Sequence, residues 1–233
     1  MNITVIHGQR HKGNTWALTE LFLERLKTND TNVTEFFLPD DSIGYCAGCV
    51  QCFMKSENMC PHAGSVQQIV AALDNADLIV ITSPCYVLGM TGQLKVLLDH
   101  LGYRFMAHRP EAAMFRKQAL VLSTAAGVGM NKTAKAISFN LFMWGVARIY
   151  RYGLRINAAD FNSISEKRKQ KIIRKAERIS QKILRNNNRV KAGIKTRLIF
   201  YMMRMRQKKL NDWNLVDREH WDKNGWLGKK RPY

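Results

Sequence analysis

A chain of 233 residues, 46% of them hydrophobic, can bury one sizeable α/β core with an appendage, whereas two full domains would each be small. It has no run of about 18 uninterrupted apolar residues, and Ile3 to Ile6 read as a strand rather than a basic and apolar leader, so a soluble, cytoplasmic protein is expected. The net charge of +19 sits almost wholly in the last third, since the stretch from Glu166 to Lys209 sets 17 Lys and Arg against Glu166 and Glu177 alone.

The first two-thirds alternate buried-strand and amphipathic-helix patterns, which demands a parallel sheet covered by helices on both faces. In chain order the sequence predicts a strand at Asn2–His7, a helix at Thr15–Leu26, a strand at Asn32–Leu38 and a helix at Ser65–Leu73. A strand at Asp77–Ser83, a helix at Thr91–Leu101, a strand at Lys117–Thr124, a helix at Asn131–Trp144 and a strand at Ala147–Leu154 follow. Five strands joined by right-handed crossovers give a doubly wound sheet of order 2-1-3-4-5. A basic helix at Ser163–Arg185 carries Ile164, Ile172, Ile173, Ala176, Ile179, Ile183 and Leu184 largely on one face and can close the sheet. A second basic segment, Val190–Leu210, mixes Ile194, Leu198, Ile199, Tyr201, Met202, Met203 and Met205 with its cations. The domain reading is 1–187 for the sheet domain, with a cysteine-rich insertion at 45–62, and 188–233 for a basic helical extension.

Ligands of an open parallel sheet bind beyond the carboxyl ends of the strands, where the strand order switches. Three predicted loops there are unusual. Gly8-Gln9-Arg10-His11-Lys12-Gly13-Asn14-Thr15 has glycines for tight turns, two residues able to cap a helix, and cations and free N–H groups suited to a phosphate. Ser83-Pro84-Cys85-Tyr86-Val87-Leu88-Gly89-Met90-Thr91-Gly92-Gln93-Leu94-Lys95 offers a rigid Pro, an aromatic ring, two glycines and an apolar wall. Thr124-Ala125-Ala126-Gly127-Val128-Gly129-Met130-Asn131 is small enough for a flat ring to approach closely. Together the three imply a planar, phosphorylated ligand.

Four of the five cysteines crowd into C46-A-G-C49-V-Q-C52-F-M-K-S-E-N-M-C60-P. So uneven a set suits a reduced compartment better than a secreted disulfide scaffold. Cys46, Cys49 and Cys52 are spaced to converge on one small cluster, and Cys60 followed by Pro is of the bacterial ferredoxin type. Zinc, which four sulfurs also satisfy, and free or redox-active thiols are the other readings.

On these motifs the chain resembles the NADPH-dependent FMN reductase and iron–sulfur flavoprotein branch of the flavodoxin-like family, over roughly Met1 to Leu154. That branch carries G-S-x-R-x-G-N-T after strand one, S-P-x-Y followed by S-G-x-x-K and D-R after strand three, and a small-residue loop after strand four. Here Gln9 stands for Ser, Arg10 and His11 shift the usual Arg, Thr91 replaces Ser and His100 replaces Arg. The resemblance implies FMN, with Gln9, Arg10, Lys12, Gly13, Asn14 and Thr15 on its phosphate, Pro84, Cys85, Tyr86, Val87 and Leu88 along the isoalloxazine, and Ala125, Ala126, Gly127 and Gly129 closing the third side. It also implies a 4Fe–4S cluster on Cys46, Cys49, Cys52 and Cys60, NAD(P)H as electron donor, a small-molecule or protein electron acceptor, and a homo-oligomer with cluster and flavin across a subunit interface. Phe53-Met54 and the Met-rich tail offer apolar material for that contact. Because the cysteine segment leaves strand two, it is expected near the cofactor mouth.

No general base is required by this chemistry. His7, His11, His62 and His108 have no ligand-type spacing and are read as structural or solvated, and Asp99-His100 as a surface or salt-bridging pair. The basic extension suits an anionic partner: an acidic protein, a membrane surface or nucleic acid. A flavin- or cluster-based redox sensor acting through that extension is the alternative function.

Overall fold

The computed structural model describes residues 1–40, 42–158, 160–209 and 214–233. Strands β1 (Asn2–His7), β2 (Asn32–Phe37), β3 (Leu78–Pro84), β4 (Gln118–Ala125) and β5 (Arg148–Arg155) form one all-parallel sheet of order β2-β1-β3-β4-β5. The expected order is the observed one. β3 and β4 are buried along their whole length, while the outer strands β2 and β5 are mixed. A strand covered on both faces must be apolar on both, which is why the middle strands read as continuous apolar runs.

Successive side chains point to opposite faces of the sheet, so each strand feeds two cores. On one face Ile3, Val5, Leu78, Val80, Leu120 and Leu122 meet α1 (Asn14–Leu26) and α6 (Glu166–Arg185). On the other, Ile6, Ile79, Ile81, Ala119 and Val121 meet α3 (Ala63–Asn75), α4 (Gly92–His100) and α5 (Met130–Met143). The α6 stripe Ile172, Ala176, Ile179 and Ile183 follows helical spacing and is buried. Each of its isoleucines contributes roughly 1.5–3 kcal/mol by leaving water. Leu184, one of the residues expected on that face, lies exposed.

Between β2 and α3 the cysteine segment contains two short helical turns, α2 (Gln51–Met54) and a 3-10 turn at Glu57–Met59. The extension folds into α7 (Ile194–Lys209) and α8 (Leu215–Lys223), the second of which the sequence pattern did not suggest. The expected end of the second basic segment, Leu210, lies outside the described residues. Phe200, Trp221 and Trp226 share a third core with Met106 and Phe115, which lie on the connection from α4 to β4. Phe200 and Trp221 stack with ring centroids 4.8 Å apart. The extension is therefore fastened to the sheet domain by an aromatic cluster.

Candidate functional site

The three loops beyond β1, β3 and β4 are tied to one another in every pair. Tyr86 donates its hydroxyl to Gln9 Oε1 at 2.5 Å, joining the first loop to the second. The hydroxyls of Thr15 and Thr124 lie 2.6 Å apart, joining the first to the third. The Cys85 N–H donates to Thr124 O at 2.7 Å, joining the second to the third. Gly8 is held by its own N–H to Thr82 O at 2.7 Å, and a Cβ there would lie 2.7 Å from that oxygen, so only glycine fits without a shift.

Asn14 and Thr15 were expected to cap the first helix, and they do not. Gly13 is the N-cap, Asn14 is the first helical residue, no side chain caps the end, and the Thr15 hydroxyl is turned to Thr124. Intrahelical bonding begins with Ala17 N–H to Gly13 O, so the N–H groups of Asn14, Thr15 and Trp16 remain for a ligand. No acidic residue stands in that turn. Nearby, Arg10 donates to Pro39 O at 2.6 Å, and the Lys12 ammonium lies over the Trp16 and Phe37 rings at 5.4 and 5.6 Å. A free, positive helix end flanked by two anchored cations suits a phosphate.

Pro84 and Ala125 are the buried last residues of their strands and so form floor rather than rim. The rim is a two-residue turn in which Tyr86 and Gly89 exchange backbone bonds of 2.9 and 3.0 Å, with Val87 at φ 48° and Leu88 at φ 61°. Two positive φ values are those of a type I′ turn, which normally selects Asn and Gly. Here a β-branched residue occupies the left-handed region, in the strained backbone that functional sites tend to store. Val87 is fully exposed, and Tyr86, Leu88 and Val128 are about half exposed or more, forming an apolar lip with Ala126 and Gly127 beside it. Gly129 has φ +97°, and a Cβ there would meet Cys85 Sγ at 2.5 Å.

The four clustered cysteines line one cavity of about 70 Å³ together with Phe53, His62, Asp99 and His100. Reversals at Gly48 (φ 65°) and Val50 (φ 52°) bring them round. His100 Nε2 contacts Gly44 O at 2.8 Å, which places the proton on Nε2 and leaves Nδ1 to face Cys60 Sγ at 3.5 Å. Gly44 N–H donates to His62 Nδ1 at 3.2 Å. Burial, together with the sulfurs of Cys60, Cys46 and Cys49, pushes the Cys52 thiol above its ordinary pKa. Four sulfurs around one cavity match the donor set of an iron–sulfur cluster. Among the described residues, however, no three His, Cys, Asp or Glu side chains are drawn together closely enough to hold a metal ion.

The cysteine segment starts beside the cofactor mouth, where Tyr45 lines a second cavity with Gly92 and Gln93, and its cysteine cavity lies further along α4. Cys60 contacts His100, the last residue of α4, whereas Gly92 at the start of α4 follows the mouth loop; eight residues of helix separate the two by about 12 Å. The second cavity, of about 470 Å³ and lined by Pro39, Asp40, Gly44 and Tyr45 and by Gly92, Gln93 and Val96 of α4, runs along this interval. His62 and His100 pack edge to face at 5.2 Å and hold the end of the segment against the far end of α4. Phe53, expected as part of an apolar contact patch, packs instead on the core and on His108 with centroids 4.6 Å apart, leaving Met54 exposed.

Sequence reasoning missed His100 and Arg109 here, while His62 has the structural role it was expected to have. Of the Asp99-His100 pair, only Asp99 is a surface residue, paired with Lys95, while His100 is buried. Its helical phase, three residues after Leu97, carried that signal. Arg109 donates to the carbonyls of Cys52 and Phe53 and pairs with Glu57 at 3.3 Å, a set no local motif announces.

A doubly wound parallel sheet whose ligand loops meet at the β1/β3 switch defines a flavodoxin-like α/β protein. Residues 1–152 match the family model described as NADPH-dependent FMN reductase, and the chain belongs to that family. It is 26% identical over 156 residues to an iron–sulfur flavoprotein of Archaeoglobus fulgidus, covering 63% of this chain and 64% of that one. It is 33% identical over 100 residues to an iron–sulfur flavoprotein of Methanocaldococcus jannaschii, covering 42% and 51%. The chain thus spans between half and two thirds of the length of these curated relatives. Among solved structures, an azoreductase from Bacillus anthracis has a similar fold, with a TM-score of 0.63 at 16% identity over 78% of this chain and 99% of that one. An FMN-dependent NADH-azoreductase from the same species, in complex with FMN, has a TM-score of 0.56 at 14% identity over the same shares.

Proposed function

We propose that the protein is an FMN-dependent oxidoreductase that takes electrons from NAD(P)H and passes them to a small-molecule or protein acceptor. The observation that carries this reading is the pairwise tying of three loops, through Gln9–Tyr86, Thr15–Thr124 and Cys85–Thr124, around an uncapped helix start. In it, the first-turn N–H groups from Asn14 onward receive the phosphate with Arg10 and Lys12, and Gln9 and Gly13 shape the loop. Pro84, Cys85, Tyr86, Val87 and Leu88 form one wall for the ring; Ala125, Ala126, Gly127 and Gly129 form the other. The exposed lip keeps water from the ring once a substrate lies on it. FMN, when bound, supplies hydride acceptance and electron release, and the chain supplies orientation and electrostatics.

Cys46, Cys49, Cys52 and Cys60 hold a 4Fe–4S cluster in this proposal, supported by the one cavity they line and by the names of the relatives. The protein works as a homo-oligomer, because its cysteine cavity lies a helix length from its own mouth while the lip is left exposed. It resides in the cytoplasm, and its basic C-terminal region meets an anionic partner.

Anaerobic purification tests the reading. Released flavin is expected to be FMN rather than FAD, with absorption near ~375 and ~450 nm, bleached by NADPH or NADH. Each Cys→Ser change at the four positions should remove iron and sulfide and leave FMN bound. Protein that takes up no FMN at micromolar concentration overturns the flavin assignment, and zinc or no metal overturns the cluster alone.

A further inference from the structure

Helix α7 reads Ile194-Lys-Thr-Arg-Leu-Ile-Phe-Tyr-Met-Met-Arg-Met-Arg-Gln-Lys-Lys209 and contains no acidic residue. One side is used by the fold. Thr196, Phe200 and Gln207 are buried, and Gln207 donates to Ala107 O at 2.9 Å. Arg197 and Arg204 are also engaged, with Ala192 O at 2.8 Å and Trp226 O at 2.7 Å.

The other side is apolar and uncovered. Ile194, Leu198, Tyr201, Met202 and Met205 are 86, 57, 50, 51 and 37% exposed. At 100° per residue they fall within an arc of about 100°. Lys195 and Arg206 border that arc on one side, Lys208 borders it on the other, and Lys209 lies within it near the helix end; all four are exposed. A contiguous apolar strip of this kind on a soluble domain marks something it binds.

We infer that α7 docks the protein laterally on an anionic lipid surface, which deepens the assignment of an anionic partner to the C-terminal region and rests on it. A second copy related by two-fold symmetry would set these cations against their own kind. Nucleic acid would leave the apolar centre of the strip without a partner. The strip is the convex outer side of a helix whose inner side is already packed, so it offers no socket to a shaped protein partner. A bilayer surface satisfies both parts: the five apolar side chains enter the acyl boundary while the lysines and Arg206 reach lipid phosphates. Among the described residues no helix is long and apolar enough to cross a membrane, so the contact is with the surface.

The test is co-sedimentation of the full chain with vesicles of phosphatidylcholine alone and of phosphatidylcholine containing phosphatidylserine. Binding is expected only with phosphatidylserine, weakening with salt and by roughly fivefold for each of Lys195→Gln and Lys208→Gln. Leu198→Ser with Met202→Ser should abolish it at unchanged circular dichroism, since both side chains are exposed. No binding to the anionic vesicles, or binding indifferent to the serine pair, overturns the inference. So does a dimer in light scattering that the serine pair dissolves without lipid, an acidic protein that competes away the vesicles, or retention on duplex DNA that survives the pair. Flavin and iron content should be the same in every variant, so failure here leaves the flavin reading intact.

Discussion

Arg109 and Asp217 form a buried ion pair at 2.7 Å that links the C-terminal extension to the cysteine segment. The same guanidinium donates to the carbonyls of Cys52 and Phe53, and Asp217 also receives Asn214 at 2.8 Å and contacts His108 Nδ1 at 2.7 Å. Removing one partner of such a pair strands a buried charge. Asp217→Leu is therefore expected to cost about 3–5 kcal/mol in denaturant unfolding. Combining it with Arg109→Met should cost less than the sum of the two single changes, because both charges leave together. An additive cycle would show that the pair is not the link.

The turn at Val87 and Leu88 stores strain where the apolar lip faces outward. Replacing Val87→Asn together with Leu88→Gly supplies the residues a type I′ turn prefers and should raise stability by about 1–2 kcal/mol. The same change removes two apolar side chains from the lip, so flavin affinity should fall while the melting temperature rises. A rise or fall of both together would separate the strain from the function assigned to it.

Much of this was legible in the sequence because it is local. The strands from Asn2 and from Asp77 are continuous apolar runs, the loops at Gly8, Ser83 and Thr124 are marked by glycine, proline and small residues, and the cysteine spacing is self-contained. What could not be read depends on distant partners. Asp217 lies 108 residues from Arg109, and nothing near either residue announces the other. Thr15 looked like a helix cap because its residue type favours one, yet its hydroxyl bonds Thr124, 109 positions away. That the cysteine cavity sits at the far end of α4 could not be read for the same reason, since the His62–His100 contact that holds it there is tertiary.

Gly129 stands where the second and third loops touch. Its φ of +97° disfavours any side chain, and a Cβ would lie 2.5 Å from Cys85 Sγ and 3.1 Å from Leu88 Cδ2. Gly129→Ala should destabilise the protein by about 1–3 kcal/mol from backbone strain alone and weaken flavin binding further by pushing the loops apart. Cys85→Ala in the same chain removes the closest contact but not the strain, so thermal melts should show partial recovery. Full recovery would mean that the clash, and not the backbone, sets the requirement for glycine.

Two histidines, His7 buried and His220 half-buried, set a pH dependence. Burial holds His7 below the usual imidazole pKa despite its 2.7 Å contact with Glu35, and burial likewise lowers His220, which contacts Pro110 O at 3.0 Å. A lowered folded-state value means that the unfolded chain takes up the proton first. Stability is then fully present above the unfolded value of about 6.5 and falls as the pH drops from there toward the folded-state values. The slope is at most about 1.4 kcal/mol per pH unit for each histidine. Asp74 and Glu20, both raised by burial, act in the opposite direction, binding protons more readily when folded, and do so nearer the carboxylate range. Urea unfolding between pH 7.5 and about 5.5 should therefore show falling stability. His220→Gln should flatten that fall without touching the flavin loops, and His7→Gln should flatten it again. An unchanged slope in both variants would place the titrating groups elsewhere.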